Sequence, residues 1–227
     1  MLKVMTLFVK RPDMTRRQFR DYYEGNHVAM GLAANKHFGF SKYVRNHTVA
    51  TLASPPAQAL REFDCFSEYS FPDVDQAVKA QAYMLTPGGK ALAEDELNFL
   101  DMSYHPSFGV TETLIAGAPR GVEPGLTGKV ALVLARGEGS DAASFQAAVQ
   151  RFSQEYAQAH RGAFVRMVLD SAVETPAGRP AVDAVLSLWT PPGRPGAPED
   201  FRWPGKGDAA IVVEIECIEA ATEVLGL

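Results

Sequence analysis

The chain has 227 residues, 46% hydrophobic and 22% charged, which allows one large domain or two small ones with a sizeable core. Its net charge of −5, with no basic run, argues against a nucleic-acid footprint, and no apolar stretch reaches the roughly 20 residues of a membrane span. The apolar start, "MLKVMTLFVKRPD", lacks a basic leader and a small-residue cleavage site, and the two distant cysteines, Cys65 and Cys217, fit a reducing cytoplasm.

"KVMTLFVK" (3–10) has the length and character of a strand, and "RPDM" is a turn. Thr15 with Gln18 three residues on is a capping box and opens a helix. On that helix Phe19, Tyr23 and His27 recur every four residues and share one stripe. Aromatic-rich strands come next, at 39–47 and 62–71, separated by the loop-like "TVATLASPPAQALR". Asp73 with Gln76 starts a second helix, which ends before "TPGGK", a turn signal. "EDELNFLD" is a short helical piece and "SFGVTETLIA" a fourth strand.

The Gly/Pro-rich "GAPRGVEPGLTG" (117–128) reads as a linker between a first unit, 1–116, and a second, 129–227. After it the pattern returns. "KVALVLAR" (129–136) matches "KVMTLFVK", Ser140 opens a long amphipathic helix, and 162–170 answers 39–47. Residues 181–191 answer 62–71, with Asp183 opposite Asp64 and Ser187 opposite Glu68. "AAIVVEIECI" closes the chain. Residues 191–206, which begin "PPGRPGAP", stand where the first unit has its second helix, and their prolines predict an irregular loop. Each unit is a βαββαβ, ferredoxin-like arrangement that covers one sheet face with helices and leaves the other bare. The expected fold is α+β: tandem ferredoxin-like repeats whose bare faces close into a single-chain barrel with helices outside.

Alternation along 63–71 puts Phe63, Cys65, Ser67 and Tyr69 on one face and Asp64, Phe66, Glu68 and Ser70 on the other. The uniformly apolar Val182, Ala184, Leu186 and Leu188 mark the helix side, so the inward face carries Asp64, Phe66 and Glu68, with Asp183, Val185, Ser187 and Trp189 from the second unit. This mixture of polar and aromatic groups predicts an internal chamber for a small, partly apolar ligand; an ordinary packed interior with a few satisfied polar groups is the alternative.

The first half resembles the EthD family of the dimeric α+β barrel superfamily. The resemblance rests on "TRRQFRDYYEGNH", "KYVRNH", "FDCFSEYSF", and "EDELNFLD" with "VTETLI" after it, in order over roughly 3–115. It implies a barrel usually assembled from two chains, here with a fused, diverged second repeat that lacks equivalents of "NHVAM" and "KYVRN". It leaves room for a homodimer. Relatives in the superfamily include cofactor-free polyketide cyclases, anthrone-type monooxygenases, lactone isomerases and decarboxylases, so it implies a fold and a site location more firmly than a reaction.

Candidate chemistry falls on few residues. His27 is either a helix-terminal cap or an acid–base group at the chamber's rim, suited by its near-neutral pKa. Glu68 is a buried general base or half of a salt bridge, with Arg45 as its candidate partner. Tyr43 could donate to a carbonyl or enolate. Arg45, Phe66, Asp64 and Trp189 are candidates for substrate contact, with Asp64 also placed to accept turn hydrogen bonds. His37, His105 and His160 have no recognisable partner spacing. Metal-binding, nucleotide-loop and nucleophile-elbow motifs are absent, so neither metal nor cofactor is expected. The reading is a cytoplasmic, cofactor-independent enzyme acting on a hydrophobic, aromatic or polyketide-like small molecule by cyclisation, dehydration, isomerisation or oxygenation. The alternatives are a non-catalytic protein that binds a pathway intermediate and, more weakly, a haem-binding relative with His27 as axial ligand.

Overall fold

A computed structural model of the chain describes residues 1–53, 60–119, 125–175, 178–191 and 200–226. The first repeat runs β1 (Leu2–Phe8), α1 (Arg16–Tyr22), a π-helical turn (Tyr23–His27), α2 (Val28–Ala33), α3 (Asn35–Phe38), β2 (Lys42–Ala53), β3 (Cys65–Phe71), α4 (Val74–Met84), α5 (Pro87–Glu96) and β4 (Ser107–Gly117). The second runs β5 (Gly125–Ala135), α6 (Ala142–Ala159), β6 (Arg166–Ala172), β7 (Ala184–Trp189), β8 (Ala209–Glu219) and α7 (Thr222–Leu225). The strand order β4-β1-β3-β2 recurs as β8-β5-β7-β6, and the two sheets close into one antiparallel eight-stranded barrel. The seams are equivalent: β2 pairs with β8, and β6 with β4. At the second seam Gly117 takes φ +89°, and a Cβ there would lie 2.3 Å from the Val165 carbonyl oxygen, so only glycine fits. Among the described residues no helix is long and apolar enough to cross a membrane.

Local chemistry explains the element starts. Thr15 and Gln18 form the expected reciprocal capping box, and the Asp73 carboxylate accepts from the Gln76 amide to start α4. Four readings need correction. Residues 48–53, read as the start of a loop, continue β2 to Ala53, where they pair with β8. "TPGGK" is no turn: Thr86 caps α5, Pro87 sits at its first position, where a missing N–H costs nothing, and the Gly89 amide donates to the Thr86 hydroxyl. The cap of α6 is Asp141, one residue after Ser140, with its carboxylate accepting from the Ser144 amide. Residues 125–128, within the stretch read as a linker, already belong to β5, while 120–124 lie outside the described residues.

The expected internal chamber is also overturned. Met5, Leu7, Val44, Phe66, Val133, Val185 and Ile215 converge inside the barrel and fill it, as side chains do in a barrel of eight strands. Beside this apolar layer lies a layer of charge. Lys3 and Lys129, at matching positions of the two repeats, both reach Glu68, at 2.7 and 2.9 Å. Lys3 also bonds Asp170 at 2.9 Å and Glu112 at 3.0 Å, and the Asn46 amide donates to Glu68. Burial opposes ionisation of Glu68, but the two lysines outweigh it and hold its pKa well below the ordinary carboxylate range.

The helix-covered faces differ between the repeats. In the second, Phe145 and Phe152 of α6 pack with Trp203, and Tyr156 with Phe201, over the apolar outer face of the sheet. Residues 200–206 form neither helix nor strand, and 192–199, the rest of the expected loop, lie outside the described residues. In the first repeat the space between helices and sheet is incompletely filled.

Candidate active site

That space is a cavity of about 560 Å³. Its floor is the outer face of the first sheet: Leu2, Val4, Thr6 and Phe8 of β1, Tyr43 of β2, Tyr69 and Phe71 of β3, and Ser107 of β4. Phe38 of α3, Ala77, Val78 and Met84 of α4, and Leu92 and Glu96 of α5 form the roof, and His27 and His105 complete the wall. Most of this lining is apolar or aromatic, with a few polar groups, the usual composition of a small-molecule site.

His27 reaches the cavity because of the stripe seen in the sequence. The Phe19 and Tyr23 rings lie 5.8 Å apart, Tyr23 and His27 5.7 Å, and both Phe19 and Tyr23 are buried against the sheet. The π-helical turn ends at His27, and such one-turn widenings occur often at functional sites. His27 Nδ1 lies 2.9 Å from Asp95 Oδ2 at the end of α5. The other Asp95 oxygen accepts from the Tyr22 hydroxyl at 2.7 Å and from the Asn98 amide at 3.3 Å. Burial raises the cost of the charge on Asp95, but the hydrogen bonds from Tyr22, His27 and Asn98 outweigh it and lower its pKa. Burial depresses the pKa of His27, only partly offset by Asp95. A neutral His27 beside an ionised Asp95 carries its proton on Nδ1, leaving Nε2 a free acceptor.

Three tyrosines lie under this wall. The Tyr23 hydroxyl is 3.0 Å from that of Tyr43 and 2.7 Å from Ser67 Oγ, and Tyr69 stacks on Tyr43 at 5.1 Å. Burial raises the pKa of all three, so they stay protonated donors. His105 stacks on Phe8 at 5.2 Å, and burial, with His27 nearby, lowers its pKa.

The structure divides the residues singled out in the sequence. His27 and Tyr43 line one cavity. Glu68, Phe66 and Trp189 face the barrel interior instead, where Phe66 and Trp189 flank the Lys129 ammonium at 5.1 and 4.7 Å. Glu68 is therefore out of reach of His27, on the opposite face of β3 from Tyr69. Arg45 does not pair with Glu68 either. With His47 it grips Glu24, at 2.8 and 2.6 Å, because both point to the helix side of β2. Burial works against the Glu24 charge, but those two partners pull its pKa from 4.5 to about 2. Asp64 accepts from the Lys10 amide at 3.0 Å and from Arg16 at 2.9 Å, fixing the turn after β1.

The EthD domain model matches residues 11–103, the span that holds His27, Tyr43, Asp95 and Glu96. Residues 11–103 are an EthD domain. No curated protein matches the sequence. Among solved structures, an anthrone oxidase-like protein superposes with a TM-score of 0.57 at 12% identity, covering 97% of this chain and 93% of its own. A proposed monooxygenase from Lactobacillus acidophilus gives 0.47 at 10% identity, covering 97% and 95%, and a haem-binding protein from Thermus thermophilus 0.40 at 14%, covering 100% and 95%. The first of these establishes the fold: both repeats, not the EthD domain alone, belong to one α+β barrel of the dimeric class.

Sequence reasoning missed Glu24, Asp95 and Glu96 within the EthD domain, and His105 just beyond it, as members of the site and its supports. Two of them sit in "EDELNFLD", and their signal was present: an acidic pair ending a helix that an aromatic stripe must pack beside. Among the described residues no cluster of three or more His, Cys, Asp or Glu is placed to hold a metal.

Proposed function

We propose that the cavity of the first repeat is the active site of a cofactor-independent enzyme acting on a hydrophobic aromatic or polyketide-like molecule. The observation that carries this reading is the Asp95–His27 pair, which leaves Nε2 unengaged, on the wall of an aromatic cavity whose floor includes Tyr43 and Tyr69. His27 takes a proton from an acidic C–H of the substrate. The electron pair of that bond moves to the adjacent carbonyl, whose oxygen becomes an enolate. Tyr43 or Tyr69 donates to that oxygen, the arrangement that most stabilises developing charge. Asp95 holds the ring and steadies the imidazolium without taking the proton, as the carboxylate of a catalytic triad does. The enolate is a common starting point for cyclisation, dehydration, isomerisation or oxygenation.

Haem would bring two propionates into a cavity with no lysine or arginine in its described lining. The lining does not fit that group. The second reading, a protein that binds an intermediate without reacting it, shares the cavity and differs only in the work of His27. Anthrone, whose central ring holds an acidic methylene and, conjugated with it through the fused rings, the carbonyl that takes up the electron pair, separates the two. Under anaerobic conditions in D2O, the protein should accelerate exchange of the methylene protons, read by NMR, and His27→Ala should remove that acceleration. Binding of anthrone with no accelerated exchange decides for the carrier.

A further inference from the structure

The electrostatics of the cavity narrow what can enter it. None of its described lining residues is lysine or arginine. The Arg45 guanidinium, 4.9 Å from the Tyr43 ring, is committed to Glu24. His27 and His105 are kept neutral by burial, and the tyrosines stay protonated. The remaining ionisable group is Glu96, half-buried at the end of α5, whose carboxyl has no hydrogen-bond or ion-pair partner among the described residues. Burial, with the Asp95 charge next to it, raises its pKa to about 7. An anionic ligand entering here would lose its hydration, gain no counter-charge, and meet a carboxylate.

Resting on the proposed function of this cavity, we infer that Glu96 makes the site selective for uncharged substrates: phenols, quinones and aromatic ketones enter, while the corresponding carboxylates are turned away. A neutral ligand with hydroxyl or carbonyl groups meets complementary partners instead. Tyr43, Tyr69 and His27 offer donors and an acceptor, and Glu96 itself can accept from a phenol.

The test is a matched pair of probes, 1-naphthol and 1-naphthoate, titrated at pH 8 by calorimetry. At that pH naphthol is neutral, naphthoate is charged, and Glu96 is largely ionised while both histidines are uncharged. Wild-type protein should bind naphthol about tenfold or more tightly than naphthoate, the scale expected of like charges a few ångströms apart at a protein surface. Glu96→Gln, which keeps shape and removes charge, should narrow the difference several-fold by strengthening naphthoate alone. Glu96→Lys should reverse the preference. Equal binding of the two probes by wild type, or a difference that Glu96→Gln leaves unchanged, overturns the selectivity while leaving the cavity as a binding site. Failure of wild type to bind either probe overturns both this inference and the aromatic-substrate reading beneath it.

Discussion

His27 and Glu24 stand three residues apart and do opposite things. His27 faces the cavity, and its removal should be felt in chemistry: His27→Ala should slow anthrone exchange by about 10²- to 10⁴-fold, the usual contribution of a general base. Because burial depresses its pKa, the base form persists below the 6.5 of a free imidazole, and the acid limb of the rate–pH profile should lie below that value. Asp95→Asn should lower the rate with little change in anthrone affinity, since it upsets the tautomer and not the cavity. Glu24 faces Arg45 and His47, and its removal should be felt in folding. Glu24→Gln strands two buried groups and should cost about 3–5 kcal/mol at pH 7, measured by urea denaturation. With a folded-state pKa of about 2 against 4.5, the stabilisation is complete above about pH 4.5 and lost as pH falls toward 2. The gap between Glu24→Gln and wild type should close over that window. His27 was legible in the sequence because spacing alone placed it on an aromatic stripe. Glu24 was not, because its partners lie on a strand whose facing depends on how the sheets close.

Among elements, α5 is the one that the chain disguises. "TPGGK" carries the residues of a turn, and the same residues serve as N-cap, first position and open first turn of a helix. Which of the two forms is decided downstream, where Leu92 is buried against the first sheet's helix layer and Asp95 meets Tyr22 and His27. Sequence pattern recovered α1, α4 and α6 and all the strands except the second half of β2, read as loop, and the start of β5, read as linker, since periodicity and caps are local. It could not recover a helix stabilised mainly by what it touches. Thr86→Ala should therefore cost about 1 kcal/mol in global stability, the usual worth of an N-cap. Amide hydrogen exchange should show the loss concentrated in 87–96, and anthrone exchange should slow modestly because Asp95 and Glu96 ride on the last turn.

At the scale of the molecule, the expected chamber and the observed cavity lie on opposite faces of one sheet. Within β3 and β7 alternation assigned the faces correctly, with Glu68 and Phe66 inward and Cys65 and Tyr69 toward the helices, but it failed just before each strand begins: Phe63 and Val182, read as helix-side, pack in the barrel interior. It could not tell which face is packed tight, because that depends on how eight strands close and on which aromatic side chains the helices supply. The barrel closes within one chain, so its unfolding midpoint should not move with protein concentration, as that of a two-chain barrel must. Glu68→Gln should lower stability by about 3–5 kcal/mol, since it takes from the buried Lys129 ammonium its carboxylate while Lys3 keeps Asp170 and Glu112, and anthrone exchange by the folded fraction should stay unchanged. In a barrel of two identical chains every residue occurs twice about the axis, and a glutamate at position 68 would be matched by its own copy. Here Ser187 holds that second place, and one carboxylate answers lysines from both halves. Covalent joining has thus freed each position from its mirror twin: a mutation can alter one flank of the barrel without being copied onto the other, so the half with the cavity can change its chemistry while the other is held only to keeping its shape.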